Sequence, residues 1–379
     1  MSRTTTRRAS GGLAAAVALV ALLAACVPVG RPAIRQAPPS PRVWDNSDPA
    51  VLVTPERVVY LFGSTNNMRV PVRRIDTFGQ TLAQSREHWA RDARNAMPSA
   101  PAWVDPSEPQ IWAPTVMKLG ERYVMWFSAA RRATSGSPIY DEHNDKCIGS
   151  ATSTSPAGPY TPAASPVYCG LRAEGAVGGQ PRSNLWGRSA LDPEVIRGQD
   201  GRLYMLVALG RTKGNIGVVR LDSIGRVIGG VNATPTVLAS QAYPWHDGTV
   251  NSSLTGSAAF LENPSMIYEP ASDTYLLFYS AGQWWRSNYV TGFARCATPT
   301  GPCTLDDRAP MLMQGNGRTG VGGLTAFRDA GGTMRVALSS WQAGREGQSG
   351  AGGAYSRQGS WGSIVVSGSD PASQSISIR

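Results

Sequence analysis

Histidine is scarce in this chain: His88, His143 and His246 are the only three among 379 residues. No G-x-S-x-G elbow accompanies them, which excludes a nucleophilic serine hydrolase of that kind. The five cysteines form no C-x-x-C pair and have no histidine pair nearby, so the common zinc spacings are missing and no metal site is read from them. Charged residues make up only 16% of the chain. The net charge of +10 comes from basic residues scattered singly, and three of them, Arg3, Arg7 and Arg8, precede the first apolar run. A nucleic-acid partner is therefore not expected, and attraction to an anionic envelope surface or polymer is the simpler reading. That apolar run, Leu13 to Leu23, is too short to span a bilayer.

What the chain does contain is a repeat. Four segments read D-P-A-V-L-V-T-P-E-R-V-V-Y-L-F-G-S, W-A-P-T-V-M-K-L-G-E-R-Y-V-M-W-F-S, D-P-E-V-I-R-G-Q-D-G-R-L-Y-M-L-V-A and N-P-S-M-I-Y-E-P-A-S-D-T-Y-L-L-F-Y-S. A degenerate fifth begins at Gly322. Each unit is an apolar strand, a polar turn and a second apolar strand ending in small residues. The unit heads at 48, 112, 192, 262 and 322 lie 64, 80, 70 and 60 residues apart. Antiparallel units repeating at this spacing predict an all-β fold, a five-bladed β-propeller, in which equivalent positions converge on one axis. Asp48, Asp192 and Glu262 would then meet in one funnel. Crowded carboxylates raise one another's proton affinity, so one can stay protonated beside an ionised partner, as glycoside hydrolysis requires.

At these residues the chain resembles glycoside hydrolase family 43, five-bladed propeller enzymes acting on arabinose- and xylose-containing glycans; the resemblance covers roughly residues 42 to 345. It implies Asp48 as the general base that activates water, Asp192 as the carboxylate that tunes and orients, and Glu262 as the general acid of an inverting glycosidase. Trp112, in Trp112-Ala113-Pro114, matches the second-blade motif, and A-T-S-T-S-P-A-G-P-Y and A-R-C-A-T-P-T-G-P-C read as outer-strand turns. Two departures stand out. Asn263 follows Glu262 where the family usually has Gly, which changes the local backbone freedom. The fifth-blade stretch Gly315 to Gly323 lacks the His that many members place near the axis, so an axial calcium is doubtful and no cofactor is required. The implied substrate is a pentose-containing oligo- or polysaccharide, cleaved by an α-L-arabinofuranosidase, arabinanase or β-xylosidase type of activity. A non-catalytic glycan-binding lipoprotein on the same scaffold is the alternative.

Several further residues are candidates. Trp112 is read as a wall of the sugar site, and Trp186, Trp245, Trp284 and Trp285 lie in or near expected top-face loops where an indole can stack on a sugar ring. Trp126, in mid-strand, and Trp89 read as packing. His246, in Y-P-W-H-D-G, is the histidine placed nearest substrate, while His88 and His143 read as structural or solvated. Arg318 is a candidate for pairing with a carboxylate or binding sugar hydroxyls. Glu194 shares a strand face with Asp192 and reads as its support, and Asp45 could compete with Asp48.

The N-terminus has a basic stretch, a short apolar stretch and Leu23-Ala24-Ala25-Cys26, which resembles a bacterial lipobox. This divides the chain into a lipoprotein signal peptide (1–25), a Pro-rich tether (26–41) carrying lipid on Cys26, and the propeller (42–379). An exported protein, held on the outer face of a bacterial membrane or envelope and monomeric, is expected. Setting Cys26 aside leaves four cysteines, an even number as expected after export. Three pairings are open. Joining near neighbours, Cys147 with Cys169 and Cys296 with Cys303, keeps each loop inside one blade edge.

Overall fold

The computed structural model describes residues 42–44, 47–64, 70–75, 94–107, 109–132, 146–170, 190–210, 214–247, 260–306, 310–347, 357–368 and 374–379. The leader, Cys26, the tether, Asp45, His88, Trp89, His143 and Trp186 lie outside these residues.

Each apolar unit of the sequence becomes the inner hairpin of a four-stranded antiparallel blade. The N-terminal strand β1 (Arg42–Trp44) precedes blade 1, which comprises β2 (Ala50–Val53), β3 (Val59–Phe62), β4 (Pro71–Ile75) and β5 (Arg94–Asn95). Blade 2 is β6 (Ile111–Leu119), β7 (Arg122–Ala130), β8 (Lys146–Ser153) and β9 (Thr161–Pro162). Blade 3 is β10 (Ala190–Arg197), β11 (Leu203–Leu209), β12 (Asn215–Leu221) and β13 (Thr236–Ser240). Blade 4 is β14 (Phe260–Glu269), β15 (Thr274–Gly282), β16 (Val290–Cys296) and β17 (Cys303–Leu305). In blade 5, β18 (Arg318–Arg328), β19 (Met334–Gln342) and β20 (Gln358–Ser367) are joined by β1, with β21 (Ser375–Ile378) also on β20.

The ring closes through that last sheet. Arg42 pairs with Ser360 and Trp44 with Gly359, so the first strand of the chain completes the last blade. The repeat does not reveal this strand, which precedes the first unit.

Five hydrophobic clusters fill the five gaps between blades. Phe62 and Ile111 belong to the gap between blades 1 and 2, Trp126 and Met205 to blades 2 and 3, and Leu206 and Tyr279 to blades 3 and 4. Phe278 and Leu338 belong to blades 4 and 5, and Leu61 and Trp361 join blade 5 back to blade 1. Being covered on both faces explains why the second strands read as continuous apolar runs: every residue of β11 is buried, and in β7 only Arg122 is exposed. Trp126 is fully buried, as its mid-strand position predicts, and its indole N–H donates to the Gly225 carbonyl at 3.1 Å.

The disulfides join Cys147 to Cys169 and Cys296 to Cys303, the near-neighbour pairing. The two outer-strand turns each contain a cis Gly-Pro bond, at Gly158-Pro159 and Gly301-Pro302. Among the described residues no helix is long and apolar enough to cross a membrane.

Candidate active site

The head of each inner strand carries one residue with a left-handed backbone: Asp48 (φ 49°), Ala113 (φ 43°), Asp192 (φ 52°), Asn263 (φ 48°) and Gly323 (φ 60°). Pro follows in the first four. In blades 2 to 5 the pairing register shifts at the same place, between Trp112 and Thr115, Leu191 and Glu194, Glu262 and Ser265, and Gly322 and Thr325. This is a β-bulge built four times, with Asp48 taking the matching left-handed position just before the ladder of blade 1, and a bulge re-aims a side chain. L-residues adopt this φ at a cost, which Asp and Asn tolerate better than most. The five left-handed residues line one cavity of about 20 Å³, enough for a single water.

The bulge also refines the repeat register. Asp48 and Asp192 stand on the left-handed residue itself, while Glu262 stands one residue before it, level with Trp112. Asn263 takes the bulge position, so its departure from Gly is accommodated by a residue type that enters the left-handed region. Asn263 also makes a contact that Gly could not, its side-chain N–H donating to Tyr289 Oη at 2.9 Å; its backbone N–H donates to Asp192 Oδ2 at 3.0 Å.

Each carboxylate has its own surroundings. Asp48 Oδ2 accepts from Ser64 Oγ at 2.6 Å, and that same Oγ accepts from the Ala113 backbone N–H at 2.8 Å. The Ser64 hydroxyl donates to Asp48 and so favours the ionised form. Burial nonetheless raises the Asp48 carboxyl above its ordinary value, opposed by Ser64 and the Arg357 charge. Glu262 Oε1 accepts from Tyr289 Oη at 2.7 Å. Burial pushes this carboxyl up to about 7; the Tyr289 hydrogen bond and Arg357 oppose the rise, and Asp48 adds to it. Asp192 is raised well above the ordinary range by burial and by the charges of Glu262 and Asp48, and the Asn263 N–H partly offsets this. All three side chains remain half-buried, open enough to meet a ligand.

Two residues of this site were not singled out from the sequence. Tyr289 is buried, and Arg357 is buried with its guanidinium 4.9 Å from the Tyr289 ring centre. Arg357 donates to the carbonyls of Trp284, Gly322 and Ser339 and acts electrostatically on Tyr289, Asp48 and Glu262. The fifth-blade glycines make room for this packing. A Cβ on Gly322 would sit 2.2 Å from the Tyr289 ring, and one on Gly323 would sit 3.0 Å from Asp48 Oδ1.

Other candidates fall elsewhere. His246 is fully buried in a short 3-10 turn (Pro244–Asp247), where Nδ1 accepts from the Ala242 N–H at 3.1 Å and Nε2 faces Tyr279 Oη at 3.0 Å. It packs against Trp245, itself buried, so both belong to the interior between blades 3 and 4 rather than to a sugar site. Arg318 is held by Ser340 and Gln358, donating to Ser340 Oγ at 2.6 Å and Gln358 Oε1 at 2.7 Å, and thus ties three strands of blade 5 together. Glu194 does not lean on Asp192. Thr115 Oγ1 at 3.4 Å and Ser265 Oγ at 3.5 Å donate to it, and burial pushes it up to about 8. The bulge between Leu191 and Glu194 breaks the alternation that put the two acids together. Trp112 is half-buried at the head of β6, with the Lys146 ammonium 4.3 Å from its ring centre. Among the described residues no group of three or more His, Cys, Asp or Glu is placed to hold a metal ion.

The chain is similar to several known proteins. An extracellular endo-α-(1→5)-L-arabinanase of Thermotoga petrophila is 32% identical over 197 residues, which is 51% of this chain and 36% of that protein. The chain thus spans about a third of the length of that relative. Among solved structures, a thermostable family-43 glycoside hydrolase superposes with a TM-score of 0.65 at 18% identity, covering 91% of this chain and 96% of the other. An α-L-arabinofuranosidase from Lactobacillus brevis gives 0.60 at 16% identity, covering 85% and 91%. The family model for glycosyl hydrolases family 43 matches residues 43–351, and the chain belongs to that family.

Proposed function

We propose that the protein hydrolyses glycosidic bonds in arabinose-containing glycans, with inversion at the anomeric carbon. The observation that carries this reading is the unequal treatment of two carboxylates at one funnel mouth. Burial raises both carboxyls and Arg357 opposes the rise at both. At Glu262 the Asp48 charge adds to it and the carboxyl is pushed up to about 7, protonated in mildly acidic solution, whereas Ser64 donates to Asp48 and favours its ionised form. Tyr289 occupies Oε1 of Glu262, leaving Oε2 to carry the transferable proton. Glu262 gives that proton to the leaving oxygen as the glycosidic bond breaks. Asp48 takes a proton from water, whose oxygen bonds to the anomeric carbon from the opposite side. Asp192, held by the Asn263 N–H, orients the sugar and sets the charge balance between the other two.

The arabinanase relative supports arabinose over xylose as the sugar, and its extracellular description, with the two disulfides and the Leu23-Ala24-Ala25-Cys26 sequence, supports export with lipid on Cys26. No step runs through an axial cation. The fifth-blade segment has no histidine, and the Arg357 guanidinium already supplies positive charge beside Asp48 and Glu262.

The decisive experiment assays linear arabinan and aryl pentosides with the unmutated protein, Asp48→Ala and Glu262→Ala, in membrane and soluble fractions, following the anomer first released by NMR. Each variant should lose about 10²–10⁴-fold on arabinan. Glu262→Ala should recover on a good aryl leaving group and Asp48→Ala should not. Activity should reside in the membrane fraction and the first product should have inverted configuration, with the carboxyl groups roughly 6.5–9.5 Å apart. Retention of configuration would overturn the mechanism. Binding without turnover by the unmutated protein would leave a glycan-binding module.

A further inference from the structure

Trp284 is the one aromatic side chain among the large hydrophobic residues that stand exposed in the described part of the chain, with 47% of its surface open. It lies in the loop from β15 to β16, at the same end of blade 4 as Glu262, since Glu262 pairs with Ser280 near the end of β15. An indole held in place presents a flat apolar face on which a sugar ring can stack, and this one is packed and tethered from three directions. Its carbonyl accepts from Trp341 Nε1 at 2.7 Å and from Arg357 Nη1 at 3.0 Å. The buried Trp341 ring lies nearly parallel to it, 6.4 Å between centres at 21°, and Trp285 meets it edge-on at 5.6 Å. Two glycines leave room for the cluster: a Cβ on Gly320 would sit 2.7 Å from Trp341 Cδ1, and one on Gly347 would sit 2.9 Å from the Trp285 carbonyl oxygen.

This aromatic cluster is joined to the general acid. Arg357 grips the Trp284 carbonyl and lies over Tyr289, and Tyr289 donates to Glu262. A general acid must reach the glycosidic oxygen, so the sugar beyond that oxygen lies on the acid's side of the funnel. We infer that Trp284 is a stacking platform for the pentose ring on the leaving-group side of the scissile bond, so that the site grips the sugar beyond that bond as well as the one it releases. This rests on the hydrolase reading above, with Glu262 as acid.

The test compares the unmutated protein with Trp284→Ala and Trp284→Phe on linear arabinan and on arabinofuranosyl fluoride, whose leaving group is too small to need a platform. Trp284→Ala should lower kcat/KM about tenfold on arabinan and leave the fluoride unchanged, and Trp284→Phe should restore most of the loss. Equal losses on both substrates would mean that Trp284 only supports Arg357, and an unchanged rate on arabinan would mean that it does nothing; either overturns the inference. Retention on an arabinan affinity gel separates the two readings. Retention by the unmutated protein that Trp284→Ala abolishes, with no turnover by either, keeps the platform and overturns the hydrolase. An unmutated protein that neither binds nor cleaves arabinan overturns both.

Discussion

Blades 2 and 3 are built alike, and one atom separates their chemistry. At the end of the second strand, facing the residue before the bulge, blades 2, 4 and 5 carry Ser128, Ser280 and Ser339, and Ser64 takes the matching place in blade 1; blade 3 carries Ala208. Three of these serines act alike. Ser64 Oγ accepts from the Ala113 N–H, Ser128 Oγ from the Asp192 N–H and Ser280 Oγ from the Gly323 N–H, each at 2.8 Å and each reaching the bulge of the next blade. Ala208 offers no oxygen to the bulge that follows it. The Asn263 N–H donates instead to the Asp192 carboxylate. A structural hydrogen bond present in three blades is thus replaced in the fourth by one that holds a site residue.

Breaking this comparison should cost most where the serine also serves a carboxylate. Ser64→Ala removes the donor that favours ionised Asp48, so the Asp48 pKa should rise. The acidic limb of the kcat/KM profile should move up by about one pH unit, as expected for a charge-assisted hydrogen bond, and activity below that limb should fall about tenfold. An unmoved limb would separate Ser64 from the base.

Ala208→Ser makes blade 3 like the others. The new oxygen should compete for the Asn263 N–H and loosen its hold on Asp192, raising the pKa of a carboxyl that titrates together with its neighbours. A loss of about threefold to tenfold in kcat, with a shifted pH profile, is expected from one diverted hydrogen bond. A profile identical to that of the unmutated protein would show that the alanine has no such role.

The smallest effect belongs to Ser128→Ala, which strips only a backbone acceptor. Thermal or denaturant unfolding should register a loss of about 1 kcal/mol, with both pH limbs in place. Limbs that move would mean that Ser128 is coupled to Asp192 through more than its backbone.

Much of this was legible because a propeller writes its symmetry into the chain. The heads at Asp48, Trp112, Asp192 and Glu262 and the small residues closing each second strand give the blades, and blade geometry brings the acids together. The strand closing the ring was not legible, because β1 precedes the first unit and carries none of its pattern. The offset of Glu262 by one residue can be read by aligning the units on their proline, but the left-handed turn that gives it meaning cannot. Tyr289 and Arg357 reach the site from loops outside the repeated unit, so the repeat could not mark them. His246 misled because nearness to Glu262 in sequence is not nearness to the funnel: the 3-10 turn that carries it packs beneath the blade surface. The hold of Arg318 on Ser340 and Gln358 was not legible either, because it depends on which strands the last blade sets side by side.

The pairing of β1 with β20 ties the site to a distant part of the chain. Asp48 follows Trp44 by four residues, so this carboxylate lies close along the chain to a strand whose hydrogen-bonding partners, Gly359 and Ser360, come more than three hundred residues later. Joining segments that far apart carries a large loop-closure cost, and it falls on the contact that completes the last blade. Loss of the β1–β20 pairing should therefore loosen the chain leading to Asp48 together with the edge of blade 5.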